Sequence, residues 1–302
     1  MKTSSRADLV LFGATAIWGS TFALIKLILV EISPLQMQFI RFGTVAFLLL
    51  AVAPTKIIPA NRTTLFRGIG LGTILFLGML AQNVGLSITT ASKSAFITGM
   101  MVIFVPLLQF LIERKAPLIG NLIGVVIVSL GLWFLTSPEG SSFNLGDAIT
   151  LFCAIIFAVY IVLLDLVSRE MTTLQLTFLQ SATTALLTFL GIVAFGSFSV
   201  HLSMPNIISL AYLTLFATLA TTYAQTRFQK DTTPTRAVII FTIEPVFAAI
   251  LAYFLLRETL GTLGLLGGFL IICGVLLSEV SESIPFLNRA LDGGDREAGP
   301  VS

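Results

Sequence analysis

Residues 241–254 read FTIEPVFAAILAYF, an apolar run with a single charged side chain, Glu244, which is followed by Pro245. The next charged residues on either side are Arg236 and Arg257. A helix needs about 20 apolar residues to cross the hydrocarbon core of a bilayer, and the interval between the two arginines is long enough. The stretch therefore predicts a membrane-spanning helix that carries one carboxyl group near its middle.

The composition of the whole chain agrees with this local pattern. Of its 302 residues, 56% are hydrophobic and 11% are charged, whereas roughly a quarter of the residues of a soluble domain are charged. Because the apolar residues come in long blocks, and because helices satisfy their own backbone groups in lipid, we predict an all-α integral membrane protein that contacts the lipid bilayer. The net charge of +2 is too small to indicate a nucleic-acid partner.

Ten apolar blocks follow one another with short connections between them. They comprise residues 8–30, 35–53, 68–88, 92–112, 117–136, 146–167, 174–196, 206–228, 234–256 and 261–281. Lysine and arginine are concentrated in the connections on the side of the N-terminus, so the positive-inside rule predicts that both termini are cytoplasmic. We expect residues 1–7 to form a cytoplasmic N-terminus and residues 283–302 a mobile cytoplasmic tail. The predicted location is a bacterial inner (plasma) membrane.

The second half of the chain repeats the first. Pairs that align at a nearly constant offset include Asp8 with Asp147, Glu31 with Glu170, Arg114 with Arg257, Gly124 with Gly267 and Gly131 with Gly274. The repeats comprise residues 8–136 and 146–281, with five predicted spans in each. Because five is an odd number, the second repeat enters the membrane in the opposite orientation. Inverted repeats of this kind are typical of transporters that work by alternating access.

Four segments resemble the EamA family of the drug/metabolite transporter superfamily. They are AIWGSTFALIK at 16–26, FITGMMVIFVPLL at 96–108, IEPVFAAILAYFLLRETL at 243–260 and LLGGFLIICGVLL at 265–277. The resemblance extends over about residues 8–281 and implies ten transmembrane helices arranged as two inverted five-helix repeats. It also implies a transporter, often an exporter of small metabolites, but it does not specify the substrate.

Two charged residues inside the predicted spans are candidates for substrate contact. Glu244 lies near the midplane, where an acid can bind a substrate amine or carry a coupling proton. Its alternative role is structural, as an acid bonded to a neighbouring helix. Arg41 lies in the outer half of the second span and is a candidate for binding a substrate carboxylate. Its alternatives are a structural ion pair with Glu244 or a side chain that extends outward to the interface.

Polar and aromatic residues of three other spans complete the candidate substrate-binding set. They are Trp18, Ser20, Gln82, Asn83, Tyr223 and Gln225. A tryptophan at the centre of a span suggests a cavity wall, and uncharged amides and a phenol suit a polar cavity. The alternative is packing and hydrogen bonding between helices, with Gly19 allowing another helix to approach closely.

The sequence contains neither a Walker loop nor a cluster of histidine, cysteine and carboxylate residues with metal-ligand spacing. We therefore expect no enzyme, no metal and no cofactor. The predicted function is a secondary active transporter, an exporter of small organic metabolites such as amino acids, with proton coupling left open. The alternatives are an exporter of lipophilic cations or drugs, and a membrane sensor or scaffold that transports nothing.

Overall fold

The computed structural model describes residues 3–57, 61–114, 118–136, 143–195, 201–257 and 261–281. The elements within these ranges are all helices. The tail predicted for residues 283–302 lies outside the described residues, and so do short pieces of several connections.

Within these ranges, the first half of the chain forms six helices. They are α1 (Thr3–Ile28), α2 (Pro34–Val52), α3 (Arg62–Ile88), α4 (Ala91–Gly99), α5 (Met101–Glu113) and α6 (Ile119–Thr136). Polar side chains before three of them satisfy free backbone N–H groups at the helix start. Ser33 caps α2 in a reciprocal arrangement with Gln36, Asn61 caps α3, and Thr90 caps α4.

The described residues of the second half form seven α-helices and two short irregular helical turns. The α-helices are α7 (Leu145–Ser168), α8 (Thr173–Phe195), α9 (Met204–Thr214), α10 (Thr221–Phe228), α11 (Pro234–Phe241), α12 (Glu244–Leu256) and α13 (Thr262–Ser281). A π-helical turn, Leu215–Ala220, joins α9 to α10, and a 3-10 turn, Gln229–Asp231, follows α10.

Eight helical segments of the described chain are long and apolar enough to cross a membrane. They are Ser5–Ile28, Pro34–Val52, Arg62–Ile88, Ala91–Glu113, Leu145–Ser168, Thr173–Phe195, Met204–Asp231 and Pro234–Leu256. Two further apolar helices, Ile119–Phe134 and Thr262–Ser278, are shorter. The all-α membrane class is confirmed, and eight of the ten predicted spans reach membrane-crossing length within the described residues.

The surface of the helical bundle is apolar, as lipid contact requires. Large hydrophobic side chains such as Phe47, Leu111, Phe152, Leu190 and Phe269 are more than half exposed. Soluble monomers rarely expose apolar patches of this extent. The bilayer is therefore the natural solvent of this surface.

The two halves depart from regular helix at matching positions. The break between α4 and α5 precedes Met101, and the break between α11 and α12 precedes Glu244, which aligns with Met101 in the repeat. Helix α5 ends at Arg114 and α12 at Arg257, and both arginines have left-handed backbones, with φ of 56° and 59°. A left-handed residue other than glycine is uncommon, so its occurrence at aligned positions agrees with the predicted repeat.

Helices α6 and α13 cross at glycines that are aligned in the repeat. A Cβ atom on Gly131 would lie 2.8 Å from the carbonyl oxygen of Gly267, and one on Gly124 would lie 3.1 Å from that of Gly274. Small residues let the backbones of membrane helices come this close. The glycine matches in the sequence therefore mark a direct contact between the two halves.

Candidate functional site

A cavity lies between helices of both halves. It is lined by Trp18, Thr21, Ile25, Arg41, Phe42, Leu75, Met79, Gln82, Thr98, Met101, Phe157, Tyr160, Ile161, Ala217, Thr222, Gln225, Phe241 and Glu244. Most of this wall is aromatic or aliphatic, with a few polar groups set into it. Ligand sites in proteins commonly combine such walls with a small number of polar groups.

Five of the eight candidate residues line this cavity. They are Trp18, Arg41, Gln82, Gln225 and Glu244, and they come from five different helices. The cavity also contains Met101, the residue that aligns with Glu244 in the repeat. That these side chains contact a substrate stays a prediction.

Glu244 is the first residue of α12 and is 7% exposed. It follows the helix break at Thr242 and Ile243, so its carboxyl group lies in the first turn of a half-helix, where the helix dipole favours a negative charge. A Cβ atom on Gly19 would lie 2.7 Å from the Glu244 carbonyl oxygen. The absence of a side chain at Gly19 thus lets α1 pack directly on the start of α12.

Arg41 is 3% exposed, and its Nε atom donates a hydrogen bond of 3.0 Å to Thr218 Oγ1 in the π-helical turn. Within the described residues it forms no ion pair with Glu244 or with any other acid. The structural ion pair between Arg41 and Glu244, considered from the sequence, is therefore wrong. The outward extension of Arg41 to the interface is also wrong, because the side chain is buried and lines the cavity.

Trp18 forms part of the cavity wall and links it to the π-helical turn. Its Nε1 atom donates to Thr221 Oγ1 at 2.9 Å and to the carbonyl oxygen of Ala217 at 3.3 Å. Its ring meets that of Phe241 edge to face, with centroids 5.3 Å apart. Trp18 is thus held in place by polar contacts on one side and aromatic contacts on the other.

Gln82 and Gln225 line the cavity; Gln82 also makes the interhelical contact considered as its alternative role, whereas Gln225 bonds within its own span. Gln82 Nε2 donates to Thr98 Oγ1 at 3.4 Å. Gln225 Nε2 donates to Gln229 Oε1 at 2.9 Å, and Gln229 in turn donates to the carbonyl oxygen of Ile161 on α7. The amide of Gln225 is thus held by a well-formed bond and that of Gln82 by a weak one.

Ser20, Asn83 and Tyr223 are not among the residues that line the cavity. Ser20 donates to the carbonyl oxygen of Ile17 and lies 2.8 Å from the hydroxyl group of Tyr212. Asn83 is buried and donates weakly to Gln38, at 3.5 Å. Tyr223 is 39% exposed on the bundle surface. These three side chains face neighbouring helices or the surface of the bundle rather than the cavity.

Sequence reasoning missed the π-helical turn and Thr218, which contacts Arg41. A signal was present, because Thr214, Thr218 and Thr221 recur at near-helical spacing and form a polar stripe in an otherwise apolar span. π-Helical turns occur frequently at functional sites. No sequence pattern indicated that this stripe would be irregular.

A cavity with one buried cation, one buried acid, amides and aromatic walls can hold a small organic molecule that carries both charges. The part of the chain that the structure describes contains no group of three or more histidine, cysteine or carboxylate side chains placed to hold a metal ion.

Comparison with known proteins identifies the family. The model of the EamA-like transporter family matches residues 5–137 and again residues 144–279. The chain belongs to the EamA-like transporter family. Its resemblance to that family, inferred from four segments, is confirmed over nearly the whole length.

Several curated relatives of this EamA-like chain are named as transporters. A protein of Archaeoglobus fulgidus, named an uncharacterized transporter, is 30% identical over 272 residues, which cover 90% of this chain and 85% of that protein. The uncharacterized transporter YetK of Bacillus subtilis is 25% identical over 298 residues, which cover 94% of this chain and 90% of YetK. The chain is thus an integral membrane protein of a transporter family.

A solved crystal structure shares the fold. It superimposes with a TM-score of 0.75 at 18% identity and covers 91% of this chain and 97% of its own. At that identity the similarity establishes the fold alone.

Proposed function

We propose that this EamA-like protein is a secondary active transporter that exports amino acids or related small metabolites by alternating access. In this proposal its ten spans form two inverted five-helix repeats, both termini are cytoplasmic, and the central cavity is the substrate site. Export rather than import rests on the resemblance to exporters.

The inverted repeat is supported by three independent features. The family model matches the chain twice, at 5–137 and 144–279. The helix breaks before Met101 and Glu244 lie at aligned positions, and so do the left-handed caps Arg114 and Arg257. Two halves of similar structure around a central cavity can exchange conformations, which is the basis of alternating access.

The observation that carries the substrate class is that Arg41 and Glu244 line one cavity without pairing with each other. A buried charge without a partner is costly in a protein that lipid surrounds. A ligand that carries a carboxylate and an ammonium group would supply a partner to each. An α-amino acid carries both groups on one carbon atom, and its side chain would lie against the aromatic wall.

A second candidate is the export of lipophilic cations. Glu244 and the aromatic rings of Trp18, Phe157 and Phe241 suit such a ligand, since aromatic faces attract cations. The presence of Arg41 disfavours this candidate, because a cationic ligand would bring a second positive charge into the cavity. A sensor or scaffold has no need for this cavity and gains no support from the family.

Proton coupling is the alternative role for Glu244, in place of binding the substrate amine. If its carboxyl group carries the coupling proton, Glu244→Gln will retain exchange of substrate across the membrane and lose accumulation driven by a pH gradient. Loss of both activities, or of neither, would contradict a coupling role.

The substrate class is tested with three ligands that share one side chain: leucine, isopentylamine, which lacks the carboxylate, and 4-methylpentanoate, which lacks the amine. A ligand at 100 times its dissociation constant stabilises a protein by about 2.7 kcal/mol, so its binding is read from the melting temperature of the purified protein in detergent. The wild type should bind leucine more tightly than either analogue.

Two variants assign the charges. In Glu244→Gln, leucine should bind no better than 4-methylpentanoate, and in Arg41→Gln it should bind no better than isopentylamine. A wild type that binds isopentylamine most tightly would support the lipophilic-cation candidate instead. A wild type that binds none of a panel of amino acids would contradict the amino-acid proposal.

A further inference from the structure

The π-helical turn holds Arg41 by a hydrogen bond to one defined donor, the Nε–H group at the edge of the guanidinium plane. Thr218 Oγ1 donates its proton to the carbonyl oxygen of Leu213, at 2.8 Å, so toward Arg41 the same oxygen acts as an acceptor. It receives the Nε–H group of Arg41 at 3.0 Å. This is the hydrogen bond that Arg41 makes within the described residues.

The irregular turn gives Thr218 this position. The hydroxyl groups of Thr214 and Thr221 bond to carbonyl oxygens four residues earlier, as in a regular helix. Thr218 bonds five residues back, to Leu213, because it lies in the π-helical turn. The wider turn thus gives the Thr218 hydroxyl a different bond from those of Thr214 and Thr221 and places it within bonding distance of Arg41.

We propose that Thr218 is a positioning residue that determines how Arg41 binds the substrate carboxylate; this inference rests on the proposed function. A guanidinium group offers five N–H donors in a rigid fork. With the Nε–H group bonded to Thr218, the two terminal nitrogens remain for the cavity. They form the end of the fork that binds a carboxylate through two parallel hydrogen bonds.

The test compares Thr218→Val, which keeps the shape and removes the acceptor, with Thr218→Ser, which keeps the acceptor. In Thr218→Val we expect affinity for leucine and for 4-methylpentanoate to fall about tenfold, since hydrogen bonds to charged groups are among the stronger ones. Affinity for isopentylamine should not change, and Thr218→Ser should bind all three ligands like the wild type. An equal loss for all three ligands would indicate general damage and would overturn the proposal.

A second readout needs no ligand. In the ligand-free protein, the Arg41 Nε–H proton should exchange with water faster in Thr218→Val than in the wild type, as measured by NMR of labelled arginine. Equal exchange rates overturn the positioning role whatever the substrate is. If this proton exchanges more slowly in the wild type than in Thr218→Val but the wild type binds no carboxylate ligand, the bond from Arg41 to Thr218 is upheld and the proposed substrate class is rejected.

Two ion pairs, one buried and one largely buried, carry a second, independent inference. Arg236 on α11 pairs with Asp8 on α1 at 2.7 Å, and Lys93 on α4 pairs with Asp147 on α7 at 2.6 Å. The two acids are aligned in the repeat, and so are the two basic residues. The two pairs are therefore equivalent under the exchange of the two halves, and each joins one half to the other.

The pairs lie at opposite ends of the bundle. Lys26, near the end of α1, donates to the carbonyl oxygen of Thr89, and the Thr89 hydroxyl donates to Asp147. Asp8 precedes Lys26 on the same helix, and the interval between them is about 27 Å at the rise of an α-helix. The cavity residues Trp18 and Glu244 lie between these two ends.

We infer that the Asp8–Arg236 pair closes the cytoplasmic end of the cavity and the Lys93–Asp147 pair closes the outer end. Opening either end requires the halves to separate there, which breaks the pair at that end. If one partner of a buried ion pair is removed, the remaining charge is buried without its partner, and the closed conformation that buries it is strongly destabilised. Loss of one pair should therefore favour the conformation that is open at its own end.

Labelling of a cavity cysteine tests the inference. In a background without Cys153 and Cys273, Met79→Cys places a thiol in the cavity wall. A membrane-impermeant maleimide is then added to vesicles of either orientation. We expect Lys93→Gln to increase labelling from the outer side severalfold, and the equivalent Arg236→Gln to increase it from the cytoplasmic side.

Charge-retaining controls separate the ion pair from general packing. Lys93→Arg and Arg236→Lys should label like the parent protein. If Arg236→Gln folds poorly, the double variant Asp8→Arg with Arg236→Asp replaces it: the exchanged pair should keep cytoplasmic labelling at the level of the parent protein. An increase from the same side in both glutamine variants, or no increase in either, would overturn the inference.

Discussion

Single residues determine how α1 meets α12 and hence how the cavity is built. Gly19 has no side chain, so the backbone that carries Trp18 lies against the first turn of α12, where Glu244 begins the half-helix. Trp18 and Glu244 therefore line the same cavity although they belong to opposite halves of the sequence. The cavity depends on this close approach as much as on its charged groups.

Gly19→Ala should destabilise the protein by about 1–3 kcal/mol, as overpacking does. The new Cβ atom would lie 2.5 Å from Phe247 Cβ and 2.7 Å from the carbonyl oxygen of Glu244, and the second of these is backbone. The melting temperature in detergent measures the effect. The matched control is Gly13→Ala on the same helix, where a Cβ atom meets nothing within 4 Å. Equal melting temperatures for the two variants would contradict the close packing of α1 on α12.

Glu31 provides a pH-dependent contact outside the spans. Its Oε2 atom accepts a hydrogen bond of 2.8 Å from the backbone N–H group of Ser203, just before α9, and this bond holds the pKa of Glu31 below its usual value of 4.5. A lowered pKa in the folded state contributes stability above the ordinary pKa, and that stability is lost as the pH falls through the lowered value.

We therefore expect wild type to be slightly more stable than Glu31→Gln at pH 7, and the difference to disappear at acidic pH, below the usual pKa. Melting curves of both proteins across this range provide the measurement. A difference that stays constant with pH would contradict a contact made by the ionised carboxylate.

At the scale of elements, the important features are helices that are interrupted. The chain breaks between α4 and α5 and between α11 and α12, and it widens into a π-helical turn between α9 and α10. Each interruption brings residues of its span to the cavity wall: Thr98 and Met101, Phe241 and Glu244, and Ala217. Discontinuous helices of this kind build binding sites in many transporters.

The crossing of α6 and α13 leads to a prediction at this scale. Gly131→Ala would place a Cβ atom 2.8 Å from both the carbonyl oxygen of Gly267 and the amide nitrogen of Ile271, which are backbone atoms that cannot move aside singly. We expect a lower melting temperature for this variant, with a loss of about 1–3 kcal/mol. Gly70→Ala is the control, since its Cβ atom would meet nothing within 4 Å. A stable Gly131→Ala protein would contradict the tight crossing.

Much of this organisation could be predicted from the sequence, because lipid imposes simple rules. Apolar blocks of sufficient length predicted the helical segments, and Arg41 and Glu244 stood out because charges are rare inside such blocks. The positions of Ser20 and Asn83 between helices and the exposure of Tyr223 could not be predicted, since the polar pattern of a span does not say which face meets a cavity. The bond from Arg41 to Thr218 lies in the π-helical turn, which no sequence pattern indicated.

At the scale of the whole molecule, contacts between the halves occur in equivalent pairs. The ion pairs Asp8–Arg236 and Lys93–Asp147 are one example. Glu31 and Glu170, aligned in the repeat, also contact the opposite half, but in different ways: Glu31 accepts from the backbone N–H group of Ser203 before α9, and Glu170 pairs with Arg67 near the start of α3. The cavity between the halves is asymmetric, because Arg41 and Glu244 have uncharged counterparts in Gln180 and Met101. The two halves thus share contacts at aligned positions, whereas the charged residues of the cavity have no charged counterparts in the other half.

The most direct test of the proposed function is counterflow in proteoliposomes. Vesicles that contain the purified protein are loaded with unlabelled leucine and diluted into a trace of labelled leucine, with the Arg41→Gln protein as the matched control. We expect wild type to accumulate label transiently and Arg41→Gln to do so far more slowly. If wild type exchanges neither leucine nor any other amino acid while it exchanges a lipophilic cation, the amino-acid assignment is contradicted.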